Sequence, residues 1–228
     1  MSYIPELYRF LEQVERNNNR EWFHAHKDEY DRLRGLWMAD LQRLIDLMAQ
    51  GDPTLRGCTA AKAAYRFYRD TRFSLDKSPY KTFFSAIITP YGKKDMRACY
   101  YLQMGLDRPD RDIQSGVYGG IWWPDSATLR KLRHAIVDNI EEFTAIDSAP
   151  DMQREFPGWA GNRLKTIPKG WDKEHPQAEL LKLKDIAKAH YLDEEYFCQP
   201  DWVERTARMF LILKPLNDFI NYSIDEEL

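Results

Sequence analysis

Tyr30, Leu33, Trp37, Leu41, Leu44 and Met48 recur at spacings of three and four, which places six large apolar residues on one face of a helix running to about Ala49. Gly51-Asp52-Pro53 then ends it. A shorter helix is expected upstream, around Pro5 to Glu15. Between the two, Asn18 with Glu21 three residues on resembles a capping box that would start the long helix.

Downstream the period changes. "AYRFY", "FFSAIIT", "YYLQMGL" and "IQSGVYGGI" are short, aromatic or β-branched, and bounded by Gly, Pro or Asp, so they read as four strands joined by short loops. The nearly unbroken apolar run of "FFSAIIT" predicts a central strand covered on both faces. Helix returns at "PDSATLRKLRHAIVDNIEEF", where Pro124 and Asp125 mark a start and Leu129, Leu132, Ile136, Ile140 and Phe143 form a stripe. From Asp151 to Lys184, prolines and glycines punctuate an irregular region with room for two short helices. "DIAKAHYL" reads as a last strand, and Pro200 to Asn221 as a terminal helix broken or kinked at Pro215.

Helices first, sheet in the middle and helices last predict an α+β fold. The expected form is a central, mainly antiparallel sheet of about four to five strands flanked by N-terminal and C-terminal helices. With 228 residues, 43% of them hydrophobic, one domain over 1–228 is expected: helical over 1–50, sheet-rich over 60–122, helical and irregular over 123–228. No glycine fingerprint opens a helix after the first strand, which argues against nucleotide binding of the Rossmann or P-loop type.

The N-terminal residues carry no basic leader followed by an apolar stretch, and no apolar run reaches membrane length, so a cytoplasmic protein without a membrane partner is expected. Cys58, Cys99 and Cys198 are far apart and odd in number, which predicts reduced, buried thiols rather than a disulfide framework or a metal site. The net charge of −3 hides an asymmetry. From Lys62 to Arg97, nine Lys and Arg (62, 66, 69, 72, 77, 81, 93, 94, 97) face three Asp (70, 76, 95), an excess of +6 that leaves −9 on the remainder.

That excess centres on Tyr65 to Lys81. In a strand over Ala64 to Asp70, alternation puts Arg66, Tyr68 and Asp70 on one face and Tyr65, Phe67 and Arg69 on the other. Two readings follow. In an ionic lock, Arg66, Arg69 and Arg72 pair with Asp70, Asp76 and backbone carbonyls and pin the loop to the sheet. In an anion site, Arg66, Arg69, Arg72, Lys77 and Lys81 hold a phosphate or carboxylate while Asp70 or Asp76 orients them or serves as acid or base. The candidate partner is a small anionic or phosphorylated ligand.

"RDTRFSLDKSPYK" resembles the hallmark of a bacterial family of conserved hypothetical proteins, domain of unknown function 2461. The resemblance extends to "NNNREWFHAHKDEY", "GGIWWPDSATLRKLRHAI" and "LKTIPKGWDKEHPQAELLKLK", and so covers nearly the whole chain. It implies membership of that family and brings no reaction, cofactor or catalytic residue with it.

Gly119 and Gly120, with Trp122, are further ligand-site candidates. Glycines allow close approach, a helix N-terminus near Asp125 favours negative charge, and Trp122 and Trp123 would make a stacking wall; the plainer alternative is a tight turn with the tryptophans in the core. His24 and His26, two apart, point to different faces and do not chelate one metal. His134 and His175 could each serve as an acid or base but read more readily as structural, and Lys165, Lys169 and His175 lie in the irregular region as a charged loop that would close over a ligand or simply be solvated. Basic residues interleaved with aromatics also suit single-stranded nucleic acid, but the sequence pI of about 6.0 and the missing motif weigh against it. A protein-interaction module remains the third class.

Overall fold

The structure, a computed structural model, describes residues 2–108 and 114–226. In chain order, α1 (Ile4–Arg16), α2 (Arg20–Ala25), α3 (Lys27–Gly51) and α4 (Ala60–Ala63) precede β1 (Phe83–Ile88), β2 (Cys99–Gly105) and β3 (Gly116–Ile121). Then come α5 (Ser126–Asp138), α6 (Ile140–Ser148), α7 (Pro150–Glu155) and α8 (Ala178–Leu181), the last strand β4 (Ile186–Tyr191), and α9 (Glu194–Cys198), α10 (Trp202–Ile212) and α11 (Lys214–Asp225). The fold is α+β, with one antiparallel sheet in the order β1-β2-β3-β4. Ile113, at the start of the expected fourth strand, lies outside the described residues. No described helix is long and apolar enough to cross a membrane.

The chain forms two compact units. Met1–Lys93, Tyr101–Val117 and Tyr191–Arg208 make the first; Lys94–Tyr100, Tyr118–His190 and Met209–Leu228 make the second.

In the first unit, α3 buries all six residues of the expected stripe, together with Ile45. The predicted long helix is in fact two, which meet at His26, and the cap is Asn19: its Oδ1 accepts the Trp22 N–H at 2.9 Å. Asn18 is committed elsewhere. Its amide exchanges two hydrogen bonds with the backbone of Tyr80, which frees the neighbouring asparagine to start the helix.

"AYRFY" is not a strand. It touches β1 at one isolated antiparallel bridge, Ala64 with Ala86, and meets the chain just ahead of β1 at another, Tyr68 with Tyr80. The expected alternation nevertheless holds, since Phe67 is buried while Arg66, Tyr68 and Asp70 are exposed. "FFSAIIT" stands at the end of the four-strand order rather than at its centre, with this segment meeting it only through an isolated bridge. Its burial comes from rings instead. Phe84 packs against Phe67 and Trp37, with ring centroids 5.2 Å away in each case, and Phe23 stacks on Tyr80 at 4.0 Å.

In the second unit, α11 packs against α5 and α6. Asp125 caps α5 as the sequence predicts, accepting the Ala127 and Thr128 N–H groups, but the helix breaks at Asn139 before α6. The C-terminal helix likewise divides at Leu213, and Pro215 sits in the first turn of α11, where its missing N–H leaves no acceptor unpaired. Two short helices, α7 and α8, do punctuate the irregular region. The three cysteines are free and part-buried rather than fully buried.

Candidate functional site

The charged stretch in the first unit separates into two parts with different chemistry. The first is a loop stapled by its own side chains. Arg69 Nη1 donates to Asp76 Oδ2 at 2.5 Å and to the Ser78 carbonyl at 3.2 Å, while Asp76 Oδ1 accepts the Ser78 N–H at 2.9 Å and its hydroxyl at 2.6 Å. Arg72 grips Asp70 through Nε and Nη2, at 3.0 and 2.7 Å, and Lys77 Nζ donates to the Thr71 carbonyl at 3.0 Å. Four of the candidate residues thus serve one another, and a fifth, Lys77, serves the loop backbone. The Ser78 hydroxyl and amide, with Arg69, hold the Asp76 carboxyl well below the usual carboxylate range, and the Arg72 guanidinium pulls Asp70 down to about 2.

What the staple presents is apolar. Phe73 and Leu75 are fully exposed, at 96% and 102%, between the two ion pairs. The base of the loop is anchored by Phe67 and Tyr80, both buried, and by the Arg69 N–H to Pro79 carbonyl bond at 2.8 Å.

The second part is a group of cations, Arg66, Lys81 and Lys93, beside the Tyr65 ring. Lys81 Nζ stands 5.2 Å from the centroid of the Tyr65 ring and 5.4 Å from that of Phe83; Lys93 Nζ reaches the same Tyr65 ring at 5.1 Å and donates to the Ala64 carbonyl. Burial pushes the Lys81 ammonium below its ordinary value, and the positive charges of Arg66 and Lys93 push it the same way. Burial lowers Lys93 as well. Among the described residues no Asp or Glu forms an ion pair with Lys81 or Lys93, while the Arg66 charge is felt by the Asp70 carboxylate. The like charges of this cluster repel one another.

Tyr65 and Lys93 were not singled out by sequence reasoning. Lys93 counted only toward the local excess, because its return onto Tyr65 depends on the non-local pairing of the Ala64 segment with β1. No local pattern reports that.

Gly119, Gly120 and Trp122 belong to the second unit, and their surroundings are filled. A Cβ at Gly119 would meet Leu213 Cδ1 at 2.7 Å. Gly120, at φ +99°, would bring one to 2.2 Å from the Ile186 carbonyl oxygen, so close passage of another backbone accounts for this glycine. Trp122 packs edge-on to Tyr118 at 6.1 Å. Trp123, the one described non-glycine residue with positive φ, is exposed, and its N–H is held by the buried Asp185 carboxylate at 2.7 Å.

Three of the histidines have local partners. His26 stacks on Trp22 with centroids 4.0 Å apart, His134 lies 4.8 Å from Trp171, and His175 Nδ1 accepts the Gln177 N–H. Lys165 and Lys169 are exposed.

The family model for the conserved hypothetical protein DUF2461 matches residues 6–219. The chain belongs to this family. No curated protein and no solved structure matches it. The DUF2461 match spans both the stapled loop and the uncompensated cations, so neither part lies outside the family's own sequence.

Proposed function

We propose that this DUF2461 chain binds a small anionic or phosphorylated ligand through Arg66, Lys81 and Lys93, with the Tyr65 ring as one wall. The observation that carries the reading is the Lys81 ammonium, half-buried beside two further cations and no carboxylate. A cation withdrawn from water needs a counter-charge, and a phosphate supplies several acceptor oxygens to arginine's planar fork and to lysine's point charge. In this reading Arg69, Asp70, Arg72, Asp76 and Lys77 give the loop its shape, and the ligand meets the cations beside it. Gly119, Gly120 and Trp122 serve packing in the second unit.

Thermal melting at low salt with inorganic phosphate tests this, because a ligand that binds only the native state raises Tm by mass action. Phosphate raises the Tm of wild type and of Arg72→Ala, and Lys81→Ala abolishes the rise. Equal loss in both variants, or no rise in wild type, contradicts the reading.

A second reading is favoured by Phe73 and Leu75, which the stapled loop holds in water at full exposure: the loop docks on a protein surface. Concentration-dependent sedimentation that disappears in Phe73→Ser/Leu75→Ser supports it, with a second copy as the partner.

A further inference from the structure

A cavity of about 370 Å³ opens in the first unit between the turn after α3 and the turn after β1, and Lys93 forms part of its wall. Every charged residue lining it is basic: Arg56, Lys62 and Lys93. Two of its threonine hydroxyls, Thr59 Oγ1 accepting the Lys62 N–H and Thr89 Oγ1 accepting the Tyr91 N–H, each at 3.3 Å, can still donate to a guest, whereas the Thr54 hydroxyl donates to Asp52 at 2.6 Å. The size suits a small organic molecule, larger than a lone phosphate.

Lys93 joins this cavity to the cluster described above, since its ammonium shares the Tyr65 ring with Lys81. We infer that the ligand is a doubly phosphorylated small molecule, one phosphate held by Arg66, Lys81 and Lys93, the second by Arg56 and Lys62, with the organic body in the cavity between. This inference rests on the anion reading of Lys81 and adds the ligand class to it. A lining whose charged residues are all basic favours a phosphorylated guest over a cationic one, because a cationic molecule would meet like charge and no lining carboxylate. Two phosphates on one scaffold also make the second contact intramolecular, which multiplies affinity.

Calorimetric titration with inorganic phosphate, fructose 6-phosphate and fructose 1,6-bisphosphate tests the inference on wild type, Arg56→Ala/Lys62→Ala and Lys81→Ala. Arg56 and Lys62 are exposed, and a thermal melt verifies that the double variant is folded. The bisphosphate binds wild type at least about tenfold tighter than the monophosphate, and the double variant brings it back to the monophosphate's affinity. Equal affinities for the two sugar phosphates in wild type, with phosphate still bound through Lys81, overturn the inference and leave the anion reading standing. Binding of none of the three overturns both.

Discussion

Asn18 and Tyr80, 62 residues apart, exchange two hydrogen bonds: Asn18 Nδ2 donates to the Tyr80 carbonyl and Asn18 Oδ1 accepts the Tyr80 N–H, both at 3.0 Å. The side-chain amide thus acts as one more residue of antiparallel pairing and fixes the end of the charged loop to the start of the helical layer. Tyr80 is buried, so its backbone groups have no water to turn to. Asn18→Ala leaves both unpaired and costs about 1–3 kcal/mol, read as a lower urea midpoint with an unchanged m-value. A variant as stable as wild type would show that the pairing contributes nothing.

Asp76, not Arg72, is the residue on which the loop depends. Asp76 joins Arg69 to Ser78, whereas the Arg72 side chain is 77% exposed and reaches only Asp70 and the Phe73 ring. Chymotryptic cleavage after Phe73 accelerates about tenfold in Asp76→Ala, the equivalent of one lost charge-assisted hydrogen bond, and changes little in Arg72→Ala. The pH dependence has a definite sign. Folding lowers Asp76 below its ordinary value of 3.8, so the unfolded chain takes up the proton first. The contribution of Asp76 is therefore complete above that value and lost as pH falls through the lower folded one. In an NMR titration the Ser78 amide moves only below the ordinary carboxylate range; a midpoint near 3.8 would contradict the staple.

Much of the fold was legible because its signals are local. The Tyr30 to Met48 stripe and the Asp125 cap depend on residues within a turn or two of each other. Asn18 and Asn19 satisfy the same capping rule, and only the distant Tyr80 decides between them. The "AYRFY" alternation gave the correct faces without giving a strand, since side-chain burial keeps the period of two where backbone pairing is incomplete. For the site, composition announced a surplus of positive charge but not how it is divided. Which arginines meet carboxylates is set by the loop's own turn at Ser78-Pro79, and which lysines do not is set by how β1 pairs.

Lys188 shows the same limit in the second unit. It is 1% exposed, pairs with Asp147, donates to the Gly158 carbonyl at 2.7 Å and stands 4.1 Å from the Trp159 ring centroid. Nothing in "DIAKAHYL" distinguishes it from a solvated strand lysine, because its acceptors come from the irregular backbone around Phe156 to Gly158. Lys188→Ala leaves those acceptors and a carboxylate without their donor and lowers stability by about 3 kcal/mol in urea unfolding.

Lys81 is expected to behave in the opposite way. Its ammonium is lowered by burial and by two like charges, so the folded protein holds a charge that its surroundings disfavour. Lys81→Met removes that charge while keeping an unbranched stem. The variant unfolds at the same or higher urea concentration than wild type at pH 7, by up to about 1 kcal/mol, yet loses phosphate binding. Destabilisation would mean that Lys81 is structural.

The most direct test of the uncompensated cluster is the titration of the Lys81 ammonium by NMR, with and without inorganic phosphate. Without ligand it titrates below the ordinary lysine value of 10.5. A bound anion favours the charged form, so phosphate raises the midpoint, and by linkage affinity falls as pH climbs past the free value. An unshifted midpoint in the free protein, or one that phosphate leaves in place, would contradict the account.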